Sequence, residues 1–157
     1  MTDAPLYFQS HVFCCTNRRP DGHDKGCCAS KGGEQLRNYM KRKAKEMGIP
    51  YNIAVVDAGG GLVAHVRMDG AWLGSVDIAI NKAWTARAFD TSTEDLSHWA
   101  QSGQQGFGLN TTNHSKVVIF GGGIPIKRDG VVIGAVGASG GSVEQDVSVA
   151  RAALAGF

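Results

Sequence analysis

Asn52-Ile-Ala-Val-Val-Asp57-Ala-Gly-Gly-Gly61-Leu62-Val-Ala-His65-Val-Arg-Met68 is the stretch that decides the fold. Two β-rich runs flank a turn of small residues, so it predicts a β-hairpin with a glycine loop over 52–68. A second hairpin is expected further on, where Asp129-Gly130 separates a short strand, 124–127, from a longer one, 131–138. Gly134 and Gly137 inside that last strand predict close approach of another backbone. Residues 116–120 read as one more strand, turned by Gly121-Gly122-Gly123.

Helices fill the intervals. Leu36, Met40, Ala44 and Met47 recur at helical spacing and predict a helix over 34–47, ended by Gly48 and Pro50. Ser75 is expected to cap a helix over 76–89, and Thr91 with Glu94 has capping-box spacing for another. Ser142 and Gln145 have the same spacing and open a final helix running to about residue 155. Residues 101–115 read as a long polar loop. The aromatic and β-branched run at 6–13 reads as an N-terminal strand, followed by a cysteine-bearing loop. From 34 onward the order is α-β-β-α-α-β-β-β-α. Hairpins dominate, so the fold class is α+β, a mostly antiparallel sheet with helices packed on it.

Composition narrows the function classes. The 157 residues suit one domain with a short appendage, and 43% hydrophobic with 19% charged content indicates a globular chain. No stretch approaches the roughly 18 apolar residues of a membrane span, and no secretory signal precedes the first strand. A cytoplasmic location is expected, with no membrane partner. Residues 1–50 carry nine Lys/Arg against five Asp/Glu, and residues 51–157 carry seven against nine. The basic run Lys41-Arg42-Lys43-Ala44-Lys45 lacks interleaved aromatics, so it reads as a solvated helix face and not a nucleic-acid surface.

Five ordered motifs carry a family resemblance: Ala54-Val-Val-Asp57-Ala-Gly-Gly60, Arg67-Met-Asp-Gly70-Ala71, Asn81-Lys82-Ala83, Phe120-Gly-Gly-Gly123-Ile-Pro125, and Gly134-Ala-Val-Gly-Ala-Ser-Gly-Gly-Ser142-Val-Glu-Gln-Asp146. Together they resemble the GlcG/HbpS-like haem-binding family, which includes the PduO C-terminal domain. The resemblance covers about residues 34–157 and implies a compact α+β domain, assembly into homo-oligomers, and haem or another small molecule as ligand. Haem requires an apolar slot, an iron ligand and cations near its propionates. His65, His98 and His114 are the candidate ligands, and Lys82, Arg87 and Lys116 the candidate cations. His114, beside the long loop, has the more site-like position, while alternation along the hairpin decides whether His65 faces the core. Asp57, Lys82 and His114 would serve a small-molecule enzyme instead, yet no nucleophile–base pair is recognisable by spacing. A binding module is therefore expected ahead of an enzyme, with no catalytic residue assigned. Gly140, Gly141 and Ser142 at a helix start are readable as an anion site or as capping alone.

All four cysteines lie within the first 28 residues, as Cys14-Cys15 and Cys27-Cys28. The segment His11-Val-Phe-Cys-Cys15-Thr-Asn-Arg-Arg-Pro-Asp-Gly-His-Asp-Lys-Gly-Cys-Cys28, continuing through Gly33-Glu-Gln-Leu-Arg-Asn-Tyr-Met-Lys41, resembles the start of a thioredoxin-like [2Fe-2S] ferredoxin. That resemblance places two cluster ligands at Cys15 and Cys28. Such ferredoxins supply two more cysteines from a later loop, and this chain has none after Cys28. Two thiolates do not close a four-thiolate site. Zinc held with His23, or free thiols, are alternatives. The two resemblances overlap on the helix 34–47. The expected organisation is a truncated ferredoxin-like segment over 1–33 and a GlcG/HbpS-like domain over 34–157, as in a fusion or chimera. Iron–sulfur electron transfer is the second functional expectation.

Overall fold

The computed structural model of the chain describes residues 10–14 and 32–156, the first stretch by its backbone. Cys15, Cys27, Cys28 and His23 lie outside the described residues, so the expectations placed on them stay where the sequence left them.

The first hairpin forms as expected, with β2 (Asn52–Asp57) and β3 (Leu62–Met68) antiparallel. The second joins β4 (Gly123–Arg128) to β5 (Val131–Ser139). Asp129 and Gly130 both take positive φ, 50° and 79°, which lets a two-residue turn follow the strand twist. With β1 (Ser10–Cys14) the strands make one antiparallel sheet in the order β1-β3-β2-β5-β4. In the β1 register, Cys14 stands opposite Ala64.

Helices cover both faces. Helix α1 (Gly33–Glu46) lays Leu36, Met40 and Ala44 on Ile53, Val55, Val66, Val136 and Ala138. Helix α4 (Val143–Arg151) completes that layer with Val149 and Ala150. The opposite face belongs to α2 (Ser75–Ala88), whose Ala79, Ala83 and Ala86 meet Ala54, Val56 and Ala135. Small residues on both sides bring helix and sheet close. A Cβ at Gly137 would overlap the Ala79 carbonyl oxygen and sit 2.7 Å from the Ala83 amide nitrogen, so the close approach expected there is present. Helix α3 (Thr93–Ala100) follows α2, and two short 3₁₀ turns occupy the loop beyond it. No helix among the described residues is long and apolar enough to cross a membrane.

Three local expectations are corrected. Residues 116–120 are not a strand. There the side chain of Thr85 replaces a neighbouring strand: its hydroxyl donates to the Lys116 carbonyl and accepts from the Val118 amide. The cap of α3 is Ser92, one residue after the expected Thr91, and its hydroxyl accepts from Asp95 N at 3.0 Å. The reason is that Thr93 turns inward, fully buried, and accepts from Gly123 N at 2.9 Å. Ser75 is the first residue of α2 and makes no cap, the N-cap position being Gly74. The capping box of α4, Ser142 with Gln145, forms as expected.

Candidate functional site

The candidate cations separate into two environments. Lys82 is completely buried on the inner side of α2, where its ammonium donates to Asp146 Oδ2 at 2.6 Å and to the Ala138 carbonyl at 3.1 Å. The ring of Phe120 closes the third side, 4.6 Å from Nζ. Burial pushes the lysine pKa below its ordinary value, while the Asp146 carboxylate opposes part of that shift. Asp146 is fully engaged as well, because its other oxygen accepts from the amides of Gly140 and Gly141. Those two amides are therefore occupied by a carboxylate of the chain itself, and capping accounts for the start of α4. The Tyr51 hydroxyl is buried nearby without a hydrogen-bond partner of good geometry among the described residues. Burial and the adjacent Asp146 charge hold its pKa well above the ordinary phenol value.

Arg87 and Lys116 lie elsewhere, at the C-terminal end of α2. Arg87 Nε donates to the Ala58 carbonyl at 2.6 Å and its Nη1 to Asp90 at 2.5 Å, which ties α2 to the β2–β3 turn. Lys116 is exposed, with Nζ 5.8 Å from the centre of the Trp84 ring. Gly60 of the same turn, at φ 78°, faces that ring; a Cβ there would be 3.3 Å from it. One end of the molecule thus gathers a half-buried indole, two cations and a turn whose glycine packs closely against the indole.

His114 is exposed in the same region, two residues before Lys116. Asn113, His114 and Ser115 all take left-handed φ, at 52°, 57° and 58°. Each such residue costs about 1–2 kcal/mol, and strain of this kind clusters at functional sites. His65 lies apart from this end. It is 6% exposed and stands opposite Ala54, a residue of the layer under α2. Alternation therefore turns it inward, its Nε2 has no partner among the described residues, and burial lowers its pKa. His98 is exposed in the last turn of α3.

The geometry thus brings Arg87, Lys116 and His114 to one end and leaves Lys82 and His65 in the interior. Sequence reasoning missed Trp84. Its signal was a lone large aromatic on a helix whose sheet-facing positions are alanines. Asp57 serves its turn: its carboxylate accepts from Gly59 N at 2.9 Å and Gly61 N at 3.0 Å. Among the described residues no group of His, Cys, Asp and Glu is arranged to hold a metal ion. The patch carries three kinds of group that a haem uses, an aromatic ring, cations and an imidazole.

Comparison with known proteins agrees with the fold and bears on this chemistry. Residues 31–155 match the family described as haem degrading protein HbpS-like. The crystal structure of Klebsiella pneumoniae protein ORFY is 35% identical, covering 99% of this chain and 94% of that one, with a TM-score of 0.79. The crystal structure of a PduOC–haem complex is 42% identical, covering 79% and 90%, with a TM-score of 0.77. The corrinoid adenosyltransferase PduO of Salmonella typhimurium is 43% identical over 121 residues, which span 77% of this chain and only 36% of that protein. A [2Fe-2S] ferredoxin of Aquifex aeolicus is 32% identical over 73 residues, 42% of this chain and 66% of its own.

Proposed function

The chain belongs to the HbpS-like family of haem-degrading proteins, and we propose that it binds haem on the patch formed by Trp84, Arg87, Lys116 and His114. The observation that carries this reading is the Lys116 ammonium poised 5.8 Å over an indole, beside an exposed histidine in a strained turn. In this reading Trp84 supports the macrocycle, Lys116 and Arg87 bind the propionates, and His114 presents its imidazole to the iron. The haem similarity of the PduOC structure supports the ligand class. When bound, the haem would supply the redox and oxygen chemistry of its iron. The test is titration of the purified protein with haem, followed in the Soret region. A saturable band with one equivalent per chain is expected, and a spectrum that stays that of free haem removes the reading.

A second reading concerns the cysteine segment, proposed as residues 1–33 joined to the domain over 34–157. The ferredoxin similarity favours a [2Fe-2S] centre using Cys15 and Cys28, completed by ligands other than later cysteines of this chain. It predicts iron and inorganic sulfide in protein isolated without air, both lost in Cys15→Ser and Cys28→Ser. Iron-free, sulfide-free protein after reconstitution ends it.

A further inference from the structure

We infer that Thr85 is a positioning residue for the proposed patch: its hydroxyl fixes the backbone of residues 116–118 and so sets the Lys116 ammonium over the Trp84 ring. The inference rests on the haem reading for its purpose, while its geometry depends on no ligand. Thr85 is completely buried, so it acts only through its neighbours. The residues of α2 that fill the gap to the sheet are alanines, Ala79, Ala83 and Ala86. A threonine among them lowers helix propensity, and a helical threonine hydroxyl ordinarily bonds back to a carbonyl of the preceding turn. Here it donates outward instead, to the Lys116 carbonyl at 3.3 Å, and accepts from the Val118 amide at 3.0 Å.

One hydroxyl therefore meets two backbone groups that would otherwise need a neighbouring strand. Val117, between them, is held inward at 4% exposed, whereas Lys116 stays at the surface with Nζ 5.8 Å from the centre of the Trp84 ring. Trp84 and Thr85 are consecutive in α2. One turn of that helix thus holds Lys116 at both ends, its carbonyl by the hydroxyl and its ammonium by the indole. The left-handed residues Asn113, His114 and Ser115 end where this clamp begins. The exit of their turn is fixed by the same hydroxyl, so Thr85 sets the place of His114 as well as that of Lys116.

The experiment compares Thr85→Val, which keeps the shape and loses both bonds, with Thr85→Ser, which keeps the hydroxyl. In haem-free protein the ε-methylene resonance of Lys116, assigned with Lys116→Arg, is expected upfield because of the indole ring current. Thr85→Val should lose most of that displacement and Thr85→Ser should retain it. In the wild type the Val118 amide should exchange slowly with solvent although no strand covers it. On titration with haem, Thr85→Val should bind up to about fivefold more weakly, as Lys116→Ala does, within the range for one exposed charge pair. Combining the two should cost little more, since they remove one arrangement. A merely structural threonine would lower the thermal midpoint and leave the resonance and the affinity of the folded protein unchanged. The inference is overturned by a Lys116 resonance without upfield displacement in the wild type, by one that Thr85→Val leaves in place, by equal loss in Thr85→Ser, by fast Val118 exchange, or by additive losses of haem affinity. Wild-type protein that binds no haem removes the proposed function alone, because resonance and exchange are read without ligand. Should Thr85→Val not fold, Thr85→Ser and the Val118 exchange rate still decide.

Discussion

Lys82 and Asp146, 64 residues apart in sequence, meet at 2.6 Å in the interior and join α2 to the start of α4 across the end of β5. Each group satisfies the other and also binds backbone, so the pair is an anchor without spare valence for a ligand. Removing one partner leaves a buried charge uncompensated, which costs about 3–5 kcal/mol. Asp146→Asn and Lys82→Met are each expected to lose that much by urea unfolding. The double variant should lose markedly less than the sum of the two, because the residues form one unit. Additive losses would show that the two side chains act independently.

The contact of Gly137 with α2 gives a second expectation. A methyl group there would occupy the space of the Ala79 carbonyl, so the helix must lift from the sheet. Gly137→Ala is expected to cost about 1–3 kcal/mol, the range for overpacking a tight interior. Gly48 provides the control. It sits at φ 68° with no atom within 4 Å of a Cβ, so Gly48→Ala should cost only the left-handed backbone penalty, about 1 kcal/mol. Equal losses at the two positions would mean that helix–sheet distance is not what Gly137 protects.

How legible all this was in the sequence depended on the range of the cause. Hairpins at 57–61 and 129–130 and the capping box at Ser142 are local chemistry, and a short window contains everything that determines them. Residues 116–120 had a strand-like composition, but their amide and carbonyl are met by Thr85, more than 30 positions earlier, and nothing nearby in sequence reveals that. The same holds at the candidate site. Lys82 looked like a free cation because its partner is distant, while Lys116 and Trp84 are joined only once α2 and the loop beyond α3 have folded together. The inward turn of His65 was decidable only by register, since strand alternation offers two equal choices until a neighbour fixes one.

That inward turn makes stability depend on pH. Burial holds the folded His65 pKa below its ordinary value of about 6.5, and no carboxylate among the described residues offsets it. Below that value the unfolded chain takes up a proton that the folded chain resists, so stability falls as pH drops from 7 towards 5. One proton accounts for at most about 1.4 kcal/mol per pH unit. Thermal midpoints measured from pH 5 to pH 7.5 should therefore decline on the acid side. His65→Gln, which keeps a polar group but does not titrate, should flatten the slope in that window. An unchanged slope in the variant would place the acid sensitivity elsewhere.

The haem patch makes its own separable predictions, because its residues are assigned different tasks. Lys116→Glu reverses a charge proposed to meet a propionate, so haem affinity should fall several-fold to about tenfold, with the bound spectrum unchanged. Trp84→Ala removes the supporting ring and should weaken binding further, since aromatic contact area is lost together with the cation–π pair. His114→Ala should instead alter the spectrum of bound haem, because an iron ligand sets the Soret position whereas a propionate contact does not. His98→Ala, exposed on α3, should change neither. Lys116, His114 and His98 are exposed, and circular dichroism of the half-buried Trp84→Ala variant separates loss of binding from loss of fold. Should His114→Ala keep both spectrum and affinity while Lys116→Glu weakens binding, haem would lie on the patch with iron held by another group. Should none of the three have any effect, the patch would not be the haem site.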